Sequence, residues 1–145
     1  MSLNTDHLDK CIKTLESSLT HLKSSAENSI DYDVFRNAAV KGFELCLETS
    51  GKLLRKVLKS YVGNPRAIDA LTYKDAFRQA ALHGLIMEDV VRRWFAYRDN
   101  RNDTAHDYGA FFAETTLKLL PEFLNDVKQL KDVLDEQFKK SQTAP

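Results

Sequence analysis

The chain has 145 residues, 43% of them hydrophobic and 29% charged, with only five glycines and three prolines. That length fits one domain able to bury roughly 68–70% of its unfolded surface, and the composition excludes disorder, collagen and a strand-rich sandwich. The 21 basic residues are balanced by 21 acidic ones, so no general positive field exists, and any contact with RNA or a nucleotide must be local.

The N-terminal stretch lacks the basic start and apolar run of a signal peptide, and no segment reaches the roughly 18 apolar residues of a membrane span, so a cytoplasmic protein without membrane contact is expected. Cys11 and Cys46 each sit among apolar residues at helical spacing, which predicts buried, reduced thiols rather than a disulfide or metal ligands. His7 and Cys11 form an i, i+4 pair, but no third or fourth ligand accompanies them and no metal is expected.

Leu8, Ile12, Leu15, Leu19 and Leu22 recur every three or four residues, predicting an amphipathic helix from about Leu3 to Ala26. Asp31 or Asp33 then offers a cap for a second helix starting near Asp33, with Phe35, Ala38, Gly42, Leu45, Thr49, Leu53, Val57 and Tyr61 on one face. Glu44 and Glu48, one turn apart on that helix, fit a solvated face. Gly63-Asn64-Pro65 ends the pattern, and the stretch to Leu71 reads as a loop.

Thr72 and Asp75 resemble a capping box that opens a short helix closing at Gly84. From Met87, the set Val90, Val91, Trp94, Arg98, Arg101 and Ala105 is helically spaced, with Glu88 and Asp89 at the positive end of the helix dipole. A final run, Phe112, Thr116, Leu119, Phe123, Val127, Leu130 and Leu134, contains Pro121, where a kink or break is expected. The whole is an all-α antiparallel helical bundle of four main helices plus one short helix, a single domain over 1–140 with a flexible tail at 141–145.

Chemistry concentrates at the end of the helix that starts near Met87. Arg101, Asn102, His106 and Tyr108 put a phosphate-binding guanidinium, a polar amide, a titratable imidazole and a phenol within eight residues. The helix carries Arg92, Arg93, Arg98 and Arg101 but no lysine, and Glu88, Asp89, Asp99, Asp103 and Asp107 on the same segment supply ordinary surface ion pairs for most of them. Arg101 is the exception, because its spacing from Trp94 and Ala105 sets it beside the apolar stripe. Five residues separate it from His106, about 140° around a straight helix. The two converge only if the helix ends between them or a second subunit supplies one of them. No glycine-rich phosphate loop, nucleophile elbow or paired-carboxylate centre is present.

The string from Arg101 to Tyr108 resembles the Arg-polar-x3-His-x-Tyr motif of the HEPN superfamily, in particular its HepT-like members and the nucleotidyltransferase substrate-binding proteins. Phe43-Glu44, Lys52-Leu53-Leu54, the stretch from Asp75 to Ala80, Gly84-Leu85-Ile86 and Trp94 match that family's pattern in the same order. The resemblance implies a helical homodimer joined through its motif helices and working with a separately encoded minimal nucleotidyltransferase, in a two-component, toxin–antitoxin-like module. Arg101 and His106 would form a metal-independent ribonuclease site, Arg101, Asn102 and His106 would bind nucleotide or phosphate, and Tyr108 would be nucleotidylated. The chain itself would need no cofactor, since nucleotide and divalent metal belong to the partner.

Three functions are compatible with this pattern. The first is a substrate-binding partner subunit of the nucleotidyltransferase. The second is an endoribonuclease toxin acting on RNA and neutralised by nucleotidylation of Tyr108. The third is a structural dimeric bundle without chemistry of its own.

Overall fold

A computed structural model describes residues 3–106 and 110–143 of the chain. Six α-helices make up the fold: α1 (Asp6–Lys23), α2 (Ile30–Leu58), α3 (Pro65–Asp69), α4 (Tyr73–Leu82), α5 (Glu88–His106) and α6 (Ala110–Thr143). No strand occurs among the described residues. The four long helices and short α4 of the sequence reading are all present, and α3 is an addition.

Each helix boundary has a local cause. The α2 cap is Ser29, whose hydroxyl accepts from the Tyr32 N–H at 3.0 Å, so the helix starts three residues before Asp33. Asp31 and Asp33 fall in its first turn and complement the dipole there. Between Gly63 and Leu71, where a loop is predicted, Asn64 caps α3 by accepting from the Arg66 N–H, and Pro65 takes the first helical position, where its missing N–H costs nothing. The Thr72 cap is as expected, its hydroxyl accepting from the Asp75 N–H at 3.1 Å.

Helix α4 closes through Gly84 at φ +73. The Gly84 N–H donates to the Ala81 carbonyl and the Leu85 N–H to the Ala80 carbonyl, the paired bonds of a Schellman ending. Pro121 lies inside α6, which continues through it to Thr143 without a break. It is exposed, and the long apolar face that continues on either side of it holds the helix against the bundle.

Helix α1 lays its stripe, Leu8, Cys11, Ile12, Leu15 and Leu22, onto α2. Helix α2 is the hub, bordered by α1, α6, α4 and more lightly by α5 and α3. Its buried sector is therefore broader than the one face predicted. Gly42, Leu53 and Val57 are buried as expected, but so are Ala39, Phe43, Cys46, Leu47, Leu54 and Leu58, while Leu45 and Tyr61 are exposed. A helix with neighbours on several sides does not keep a single stripe. Gly42 and Gly51 mark its closest approaches: an added Cβ would stand 3.3 Å from the Leu15 Cβ at the first and 2.6 Å from the Tyr73 ring at the second.

An aromatic cluster joins four helices. Phe43 of α2, Phe77 of α4, Trp94 and Tyr97 of α5 and Phe123 of α6 are fully or almost fully buried. Phe77 and Trp94 stack at 4.8 Å, and Phe123 meets Phe43 edge-on at 4.8 Å and Tyr97 at 5.0 Å. At its edge lies a buried polar knot. Asp126 of α6, 3% exposed, accepts two bonds from Arg93 at 2.8 and 2.9 Å and one from the Tyr97 hydroxyl at 2.5 Å. Burial first, and then the bond to Asp126, push the Tyr97 phenol far above its ordinary range, while that carboxylate raises Arg93.

Asp126→Ala leaves a buried phenol with only a long 3.4 Å contact to Glu122 and removes the bidentate partner of a half-buried guanidinium, so it should cost about 2–4 kcal/mol in denaturant unfolding. A loss under about 0.5 kcal/mol, the size of a neutral surface change, would show that the knot contributes nothing to stability.

Stability should also fall in alkali. Burial pushes the Cys46 thiol up to about 12 from a usual 9.0. The unfolded chain therefore sheds this proton first, and stability present below pH 9 is lost at about 1.4 kcal/mol per pH unit as pH rises toward 12. Tyr97 adds to the loss above about pH 10. Denaturant curves at pH 8, 9 and 10 should show a slope that Cys46→Ala flattens.

Candidate functional site

The arginines of α5 are used differently from one another. Arg93 is committed to Asp126 and has Asp89 one turn away at 3.9 Å. Arg98 lies over the Tyr73 ring, 4.8 Å from its centroid, a cation–π contact with α4. Arg92 is exposed. Of the carboxylates on the same segment, Asp89 pairs with Arg93 as expected, and Arg93, Arg98 and Arg101 also reach other helices. Side chains on a packed helix meet neighbouring elements before they meet residues one turn along.

Arg101 points toward α2. Its side chain is 24% exposed, and its Nη2 lies 3.4 Å from Oε1 of Glu48. This places the guanidinium at the margin of the apolar stripe, as its spacing predicts. The solvated face expected of Glu44 and Glu48 holds for Glu48, which is exposed, and is corrected for Glu44. Glu48 pairs with the motif arginine, and the Glu44 side chain is only 16% exposed, with Lys41 at 3.9 Å.

The residue before Arg101 is equally informative. Asn100 is 9% exposed and donates from Nδ2 to the fully buried Thr116 hydroxyl at 2.8 Å. This bond ties the last turns of α5 to the start of α6, so Arg101 projects from a backbone anchored on one side while its side chain is held on the other. Sequence reasoning missed Glu48 and Asn100. The signal for Asn100 was its helical phase, three residues from buried Tyr97 and six from buried Trp94.

The side chains of Asn102 and His106, and Tyr108 as a whole, lie outside the described residues. The backbone is still decisive on one point. Helix α5 runs unbroken through His106, so positions 101 and 106 stand about 140° apart around one helix. Of the two ways for Arg101 and His106 to converge, an intervening helix end is removed.

Further into α6, Glu114 accepts from the Tyr32 hydroxyl at 3.0 Å beside a groove of about 410 Å³. Glu27, Asp33 and Glu114 outnumber Arg36 in its lining, which suits an anionic ligand poorly. Hydrogen bonding to Glu114 is also the first cause holding the Tyr32 phenol above its usual range. Among the described residues no group of three or more His, Cys, Asp or Glu side chains could hold a metal, and no helix is long and apolar enough to cross a membrane. Both cysteines are buried and unpaired by any disulfide.

Because Glu48 is nearly half exposed, the Arg101–Glu48 pair adds little to folding. Arg101→Ala should leave unfolding free energy within about 1 kcal/mol of wild type. A loss of several kcal/mol would make Arg101 a folding determinant and not a site residue.

Residues 4–136 match the family described as nucleotidyltransferase substrate binding protein like. The chain is 30% identical over 139 residues to the probable ribonuclease HepT of Haemophilus influenzae, spanning 93% of this chain and 94% of that protein. A solved Haemophilus influenzae structure, described as the fold of a substrate binding domain of a nucleotidyltransferase, is similar with a TM-score of 0.79 and 28% identity, over 90% of this chain and 98% of that one. The tri-AMPylated HEPN toxin of Shewanella oneidensis, solved in complex with MNT antitoxin, shares the fold with a TM-score of 0.63 and 16% identity, over 89% and 96% of the two chains.

Proposed function

The chain belongs to the nucleotidyltransferase substrate-binding-protein-like family, and from that premise we propose that it is a HEPN endoribonuclease toxin, silenced when a separately encoded minimal nucleotidyltransferase modifies Tyr108. The observation that carries this reading is Arg101: a guanidinium at the edge of the bundle, on a continuous helix that sets position 106 about 140° around its axis. Such a pair forms one site only when a second copy brings its own helix alongside, so the active species is a homodimer with two composite sites. The relationship to a probable ribonuclease supports RNA as the substrate. The modified relative with its MNT partner supports the silencing step.

In the proposed reaction, His106 removes the proton from a ribose 2′-hydroxyl, whose oxygen attacks the adjacent phosphorus. Arg101, with Asn102 beside it, neutralises the charge that builds on the phosphoryl oxygens. The 5′-oxygen leaves and takes up a proton, giving a 2′,3′-cyclic phosphate and a 5′-hydroxyl end. A nucleotide attached through the Tyr108 phenol places a competing phosphate at the same entrance and blocks RNA. A phenol with a pKa near 10 is a poor nucleophile at neutral pH, so the partner must supply the metal ions and the activated nucleotide.

A second reading, a substrate-binding subunit that cuts nothing, is favoured by the balanced charge of the chain. One set of measurements separates the two. Wild-type protein should cleave labelled single-stranded RNA, and Arg101→Ala or His106→Ala should lower cleavage at least about 100-fold. Mixing those two inactive variants should restore about a quarter of wild-type activity, because half the dimers are mixed and each carries one intact composite site. No restoration would mean the site is not shared between copies. With partner and ATP, mass spectrometry should find an adduct that is absent from Tyr108→Phe, and that variant should keep cleaving. Absence of cleavage in wild type, with the adduct still formed, would favour the second reading.

A further inference from the structure

We propose that Glu48 is a positioning residue for Arg101, setting the direction of the guanidinium before phosphate arrives and then yielding to it. The inference rests on Arg101 being the phosphate-binding group of the site proposed above. Arg101 has several rotatable bonds and, unrestrained near a surface, would spread over many rotamers. The contact from Glu48 narrows that spread. It comes from α2, the hub of the bundle, so the carboxylate stands on the most firmly packed backbone in the molecule.

The geometry fits a holder that lets go. The contact is at 3.4 Å to a single Nη, well beyond the 2.7–2.9 Å of a strong charge-assisted bond. Glu48 is 47% exposed, so water can replace the guanidinium as its partner when phosphate draws Arg101 away. Asp126 makes the contrast: buried, bidentate and short, it fixes Arg93 for good. The carboxylate on Arg93 is thus buried and doubly bonded, whereas the one on the motif arginine is exposed and touches a single Nη. Asn100, bonded to Thr116, prevents the backbone under Arg101 from absorbing the freedom that the side chain keeps.

Two substitutions separate positioning from simple charge. Glu48→Gln keeps an oxygen that accepts from Nη2 and removes the negative charge, whereas Glu48→Ala removes both. If Glu48 positions Arg101, Glu48→Ala should lower kcat for single-stranded RNA about tenfold with KM and thermal stability nearly unchanged, and Glu48→Gln should stay within about twofold of wild type. In an Arg101→Ala background, Glu48→Ala should add no further loss. Nitrogen-15 relaxation of the Arg101 Nε–H in the unliganded protein should show lower order in Glu48→Ala and near wild-type order in Glu48→Gln.

Unchanged order and unchanged kcat in Glu48→Ala would overturn the proposal, as would equal gains in RNA affinity from both variants, the signature of a carboxylate that merely repels phosphate. If Arg101→Ala itself leaves cleavage intact, the reading of the site has failed. If Arg101→Ala abolishes cleavage while Glu48→Ala does nothing, only the positioning role has failed.

Discussion

The buried carboxylate of Asp126 is the constraint on which the motif helix depends. A carboxylate at 3% exposure is tolerable only when its oxygens are satisfied, and here all three donors come from α5: two from Arg93 and one from Tyr97. The rotation of α5 about its own axis is thereby set. With Arg93 and Tyr97 facing α6, the helical repeat delivers Asn100 to Thr116 and Arg101 toward Glu48 on α2. A rotation of one residue, about 100°, would bury Arg101 or expose Trp94.

The aromatic cluster supplies the bulk of the cohesion around this knot. Phe43, Phe77, Trp94, Tyr97 and Phe123 come from four helices and meet in stacked and edge-on pairs between 4.8 and 6.5 Å, each adding specificity to its area burial. Gly42 and Gly51 let α2 approach α1 at Leu15 and α4 at Tyr73. The densest ring packing thus lies around the middle of α5, with Arg101 about one turn beyond Tyr97 and partly exposed.

Continuity of α5 links fold to proposed mechanism. Helix α5 runs unbroken from Arg101 through His106, about 140° around its axis, so in the proposed mechanism convergence belongs to an assembly and not to the monomer. With half of a site on each copy, the proposed activity would be conditional on dimer formation. In the proposed scheme Tyr108, seven residues after Arg101 in the sequence, is the one motif residue whose chemistry belongs to another enzyme.

The sequence by itself determined the helix class, the number of long helices, the Thr72 cap, the Gly84 ending and the burial of Cys11 and Cys46, because each follows from contacts within a few residues or from a periodicity of 3.6. The motif from Arg101 to Tyr108 was legible for the same reason, being contiguous. Other features required the tertiary structure. The buried sector of α2 could not be read from one stripe, since several helices share it. The pairing of Glu48 was hidden because its partner lies 53 residues away, and nothing local singled out Asp126, whose donors lie 29 and 33 residues away on another helix. Periodicity states which side of a helix is apolar. Only packing decides which polar groups are carried inside with it and which helix each arginine reaches.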